Sequence, residues 1–352
     1  MKTLNKLKHL ILLLLLFLLT SCYSYTEIHE ISFGISLGFD FLEETNEFSV
    51  YSYIINNTNL TPEGSASSEY NAYIGHAKGN TISSAIEEIN KNLDIILEFK
   101  HVKTIFLTEK FINQKNLNYL YNFLKNGPLF YPNFELYITK EKLEDIYKVQ
   151  VFEETTLFYT LLTGQKKVHN YKVANFYDFI NDYLIPDYFV SYPLIVVNKE
   201  VFENQKEPHS TIENDGLTFI VEGIPITLYY KEYPGLYLLN DFTDLLITLN
   251  DLELVINNYI FDYSLNTKNP NQIIDIIIKT DVAYIHSQNI KNSELEQYTK
   301  KYLMEEIQKV FDSCLIMGID ILNINYLRSL KGLNKAQISD YKINFVIDVF
   351  HP

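Results

Sequence analysis

The chain has 352 residues, 29 basic and 44 acidic side chains and a net charge of −15, with 47% of its residues apolar. That length is enough for two or three packed cores. Lys and Arg clusters are missing and the one arginine is Arg328, which argues against nucleic-acid binding.

The first 22 residues carry the clearest signal. Lys2, Lys6 and Lys8 form a basic start, an apolar run from Leu10 to Leu19 follows, and Leu19-Thr20-Ser21-Cys22 ends it. The run is shorter than the roughly 20 apolar residues that span a bilayer. It reads as a leader cleaved before Cys22, with the small residues of a lipoprotein signal ahead of the cysteine. The Cys22 thiol is expected to take a diacylglycerol, and the new amino terminus is open to acylation. Each buried CH₂ is worth about 0.8 kcal/mol, and two chains anchor stably. The mature chain keeps 26 basic and 44 acidic residues, a charge of −18. Such a body is repelled by anionic lipid, so the lipid on Cys22 must carry the attachment. With Cys22 modified, Cys314 has no disulfide partner.

Further along, Ile31, Phe33, Ile35, Leu37 and Phe39 alternate and predict one strand with these residues on one face; Phe48 to Ile55 predicts its antiparallel partner. Residues 56–80 read as a polar loop. Ser84 and Glu87 have capping-box spacing ahead of a helix carrying Ile86, Ile89 and Leu93. Val102–Leu107 is a strand. Leu117, Leu120, Tyr121 and Leu124 define a helix stopped by Gly127-Pro128. A strand at Phe134–Ile138 and a short helix at Glu141–Tyr147 follow. Helical patterns recur at Leu157–Leu162 and Phe176–Leu184, and Tyr192–Val197 is a strand.

Residues 198–215 are polar and contain Pro208, so the main domain boundary is expected there. Leu217–Val221 and Ile224–Tyr230 pair around Glu222-Gly223. Residues 241–265 fit helix and strand equally. Ile273–Ile278 is a β-branched strand. Ser293 and Glu296 suggest a capping box for a long helix with a stripe from Leu295 to Leu315, ended by Gly318; Tyr341–Phe350 alternates as a last strand. The pattern is α+β: mixed sheets with packed helices in two or three domains. The expected division is a leader at 1–21, an α+β region at 22–205 with a subdivision near 150, and a C-terminal α+β domain at 206–352.

Chemical motifs are missing. The histidines are too scattered for a helical or hairpin metal pair, and there is no Cys-x-x-Cys, P-loop or nucleophile elbow. No cofactor, metal or catalytic residue is expected. Cys314 lies on an apolar helix stripe and reads as core. Glu27, Asp40 and Asp320 are the carboxylates singled out, as structural groups or partner contacts.

The mature start runs Cys22-Tyr23-Ser24-Tyr25-Thr26-Glu27-Ile28, with Gly38 and Asp40 closing the first strand. It resembles the Ger(x)C family, the lipoprotein C subunit of spore germinant receptors. Glu27, Ile28, Gly38 and Asp40 match, while the aromatic-Asp-Arg usual after the cysteine is absent. Thr81–Ala85, Leu217–Gly223 and Phe311–Cys314 followed by Gly318-Ile319-Asp320 are similar to later family signals. The resemblance implies a three-domain α+β lipoprotein on the outer face of the spore inner membrane, without catalysis. It also implies A and B subunits as partners in nutrient-triggered germination. The alternative is a solute-binding lipoprotein that serves a nutrient transporter.

Overall fold

The computed structural model describes residues 31–56, 72–93, 96–126, 132, 134–149, 173–203, 208–240, 242–249, 252–266, 273–286, 291–336 and 342–350. The leader, Cys22, Glu27 and the helical pattern at Leu157–Leu162 lie outside them. No described helix is long and apolar enough to cross a membrane.

Among the described residues, the first sheet has ten strands. Its centre is parallel: β1 (Ile31–Leu42), β5 (Thr104–Thr108), β6 (Glu135–Thr139) and β8 (Tyr192–Glu203). Antiparallel strands β2 (Glu47–Asn56) and β3 (Ala72–Gly79) extend it beyond β1, and β9 (Pro208–Val221) and β10 (Ile224–Tyr229) extend it beyond β8. Two short strands, β4 (Ile96–Glu98) and β7 (Ala174–Asn175), pair with β1 and β6.

Helices cover both faces of the centre. On one face lie α1 (Ile82–Lys91), α2 (Gln114–Asn126) and α4 (Phe176–Leu184), which bury Ile86, Leu120 and Phe179 against Leu37, Phe39 and Leu107. On the other lies α3 (Leu143–Tyr147), packed with Phe106, Tyr137 and Ile195. Parallel strands covered twice are apolar throughout, and every residue of β5 is buried.

The second sheet runs β11 (Phe242–Leu249), β12 (Leu252–Asn266), β13 (Ile273–His286) and β14 (Lys342–Phe350). The first three strands form an antiparallel meander. β14 is parallel to β13, and a parallel step needs a crossover, supplied by α5 (Asn292–Ile316) and α6 (Ile324–Leu330). Leu295, Leu303, Ile307 and Phe311 of α5 pack on the second sheet, while Val310 and Cys314 pack against Leu217, Phe219 and Leu228 of β9 and β10. One long helix is thus shared by both sheets.

Several expectations are corrected. The apolar row of β1 divides between two faces, because the register shifts between Gly34 and Ser36. Leu37 and Phe39 enter the helix-covered core, whereas Ile35 packs on the α3 side. Residues 72–79, expected in a loop, form edge strand β3, where polar residues are tolerated. α1 is capped by Thr81 with Ser84 at its third position, one turn earlier than expected. α5 starts after Lys291 with no side-chain cap. Residues 241–265 fall in strands β11 and β12. Within the polar stretch 198–215, strands β8 and β9 pair antiparallel, and the first sheet runs on through β9 to Tyr229 in β10.

The β9–β10 turn and the α5 terminus follow the sequence closely. Glu222 and Gly223 both have positive φ (52° and 80°), as a tight two-residue hairpin turn requires. At the end of α5 the Gly318 nitrogen donates to Leu315 and the Ile319 nitrogen to Cys314, with Gly318 at φ 73°.

Candidate functional site

Where the two sheets meet, the loop after α4 touches the turn between α5 and α6. Asn323 sits in the left-handed region at φ 54° and brackets Phe189. Its Oδ1 accepts from the Phe189 nitrogen (2.5 Å), and its Nδ2 donates to the Phe189 carbonyl (2.9 Å). Lys335 pairs with Asp187 at 2.5 Å, and the Tyr188 and Tyr326 rings meet edge-on at 4.9 Å. A cavity of about 240 Å³ lies beside this latch, lined among others by Tyr188, Phe189, Phe219, Leu239, Tyr263 and Ile321.

Asp320 belongs to the latch. It is buried (2% exposed), and its Oδ2 accepts from the Asn325 nitrogen at 2.8 Å, which caps the first turn of α6. Burial raises its pKa, with hydrogen bonds from the Asn325 and Ile324 nitrogens opposing. The carboxylate therefore holds the turn that presents Asn323. Asp40 lies elsewhere, on β1 opposite Ser49. It accepts from the Phe41 nitrogen and from Thr108 Oγ1, and that same hydroxyl receives the Phe111 nitrogen. Asp40 thus ties β1 to the end of β5. The fold does not bring the two carboxylates into one site. Cys22 and Glu27 are outside the described residues.

A further acid sits near the junction. Asp182 on α4 accepts from the Tyr192 hydroxyl (2.8 Å) and the Val190 nitrogen (3.3 Å). Burial pushes its pKa up to about 7; these hydrogen bonds oppose the rise and neighbouring Asp178 adds to it. Asp182 and Asn323 were both missed in the sequence. Asp178 and Asp182 stand four apart on α4, a same-face spacing, but their partners are distant in the chain. Asn323 had no local signal. Cys314 is 1% exposed, and burial raises its thiol pKa to about 12, so it is an inert core group. Among the described residues, no three His, Cys, Asp or Glu side chains are placed to hold a metal ion.

The arrangement is one of structural ties. The carboxylates at Asp40 and Asp320 are engaged in capping and strand-to-turn contacts, and Asn323 joins the two sheets.

Residues 24–196 match the family described as the spore germination protein N-terminal domain. No curated protein matches the chain at a significant level of sequence similarity. Among solved structures, the crystal structure of the GerBC protein aligns with a TM-score of 0.48 at 13% identity, covering 90% of this chain and 96% of that one. The matched segment takes in β1 to β7 and α1 to α4 and ends inside β8, and with it the chain belongs to the Ger(x)C family of spore germination proteins.

Proposed function

We propose that this protein is a non-enzymatic, lipid-anchored subunit of a spore nutrient germinant receptor. Cys22 carries the lipid on the outer face of the spore inner membrane, and the partners are the receptor's A and B subunits. The observation that carries this reading is the position of the spore germination domain. It begins at residue 24, directly behind the lipoprotein signal that ends at Cys22. The reading gains support from the tasks of Asp40 and Asp320, whose carboxylates hold local structure.

Only Tyr23 to Thr26 separate the lipid from Glu27-Ile28, so the tether is short. It keeps the folded body beside the membrane, where Glu27 is available to a partner. The division of labour is one subunit for attachment and assembly, with the domains at 22–205 and 206–352 on the same short leash.

The test is an affinity pull-down of C-terminally tagged protein from detergent-solubilised spore inner membrane, with Cys22→Ala alongside. Two integral membrane proteins co-purify, and Cys22→Ala leaves the membrane fraction. Recovery of the protein alone, or with an ATP-driven transporter, sinks the receptor reading and favours a solute-binding lipoprotein.

A further inference from the structure

The α3-side face of the first sheet is not evenly covered among the described residues. α3 covers its middle, where Leu143 and Tyr147 sit over Gly38. At the end where β1 begins, register puts five apolar side chains on that same face. Ile31 pairs with Ile96, Phe33 pairs with Ile55, and Ile74 lies opposite Tyr53, two residues from Ile55 along β2. Residues directly opposite share a face, as do residues two apart on a strand. Ile96 is 54% exposed and Ile74 44%; Ile31, Phe33 and Ile55 are half-buried beneath them. Tyr73, opposite Ile54, points to the other face of the edge strand and takes no part in the patch.

Two further observations identify what this patch meets. First, it surrounds the point where the described chain starts. Ile31 is nine residues after Cys22, a distance of at most about 32 Å at ~3.6 Å per residue. Second, the charge beside it runs against the rest of the molecule. The mature chain is strongly acidic, yet the turn between β4 and β5 carries Lys100 and Lys103, with Glu98 paired to Lys100 at 3.4 Å. The Lys103 nitrogen bonds the Ile35 carbonyl, and the His101 ring packs edge-on against Phe33 at 4.6 Å. Aliphatic side chains bordered by lysines suit a headgroup boundary.

We infer that the patch of Ile74 and Ile96 rests on the bilayer surface and orients the body relative to the membrane. This rests on the lipid-anchor reading and deepens it: the lipid supplies attachment, and the patch supplies orientation.

The full lipidated protein is reconstituted into vesicles of phosphatidylcholine and phosphatidylglycerol. Variants Ile74→Cys, Ile96→Cys and Glu44→Cys carry a polarity-sensitive fluorophore; Glu44 lies in the exposed turn at the far end of β1. Cys314 is buried and does not compete for label. Spin-labelled lipid should extinguish emission at 74 and 96 and leave 44 unchanged. Vesicle-bound protein in which all three sites behave like 44 overturns the inference while leaving the anchor intact. Protein that fails to float with the vesicles overturns the anchor reading and this inference with it. Labels at 74 and 96 that ignore lipid, and become shielded only when the integral membrane proteins of the spore are added, assign the patch to a protein partner and overturn the inference.

Discussion

The two sheets bury their strands under different regimes. In the first, parallel β5 lies between helices on both sides and all of Thr104–Thr108 is buried. In the second, β14 alternates, with Ile347 buried against the α5 side and Val346 43% exposed on the opposite face. Five acids on β12, β13 and β14 share that opposite side by register: Asp262, Asp281, Asp275, Asp348 and Glu253. Among the described residues, the first sheet is therefore a two-sided core, and the second is a one-sided shelf on α5. Composition alone does not tell the two apart, since both are rich in Ile and Phe. Periodicity does: a continuous apolar run means cover on both faces, and strict alternation means cover on one.

The contrast can be broken most forcefully in the first sheet. Phe106 has no exposed surface and lies 5.8 Å from the Tyr137 ring. Phe106→Ala should cost about 3–5 kcal/mol by denaturant unfolding, the usual range for a buried phenylalanine. A loss below ~1 kcal/mol would show that the face under α3 is not a packed core.

Joining the sheets is worth less. Asn323→Ala removes both bonds to Phe189 and places a Cβ residue with no local hydrogen bond in the left-handed region. The expected loss is about 1–3 kcal/mol. Hydrogen exchange should rise in residues 185–191 and stay unchanged in β5. A uniform rise across the first sheet would mean that the latch is part of that core.

Acidity sharpens the comparison at the junction. The Asp182 pKa rises from the ordinary 3.8 to about 7 in the folded state. Between those values the folded protein holds a proton that the unfolded chain has released. Stability should therefore fall as pH rises from about 4 to about 7, and Asp320, shifted in the same direction, adds to that slope. Asp182→Asn should flatten much of it and gain about 1–2 kcal/mol at pH 8, because Asp182 is only partly buried. Thermal unfolding at several pH values measures this, and an unchanged slope removes Asp182 as its source.

The smallest effect belongs to the open face of the second sheet. Val346→Lys should change stability by less than ~0.5 kcal/mol, the usual range for a surface substitution. A large loss would mean that this face is covered.

Much of the local structure was legible in the sequence. β2, α4, β10 and β14 lie where the periodicity places them, and Glu222-Gly223 and Gly318 punctuate as their positive φ values require. The helix starts were less legible. Thr81 and Ser84 were both visible, but which one capped α1 depended on how the chain leaves β3. The candidate carboxylates were legible as residues and not as roles: Asp40 answers to Thr108, 68 positions away, and Asp320 to the turn that it caps.

By itself, the sequence determined where the helices and most strands form, because those depend on side-chain spacing over a few residues and on what each backbone position tolerates. It also supplied the family resemblance that the match over residues 24–196 bears out. Only the tertiary structure decided that β9 and β10 complete the first sheet, that a shifted register divides the apolar row of β1 between two cores, and that α5 serves both sheets. Each of these depends on which strands find one another across long stretches of chain. Strand pairing is set by backbone hydrogen bonds and shared burial, and local spacing records neither.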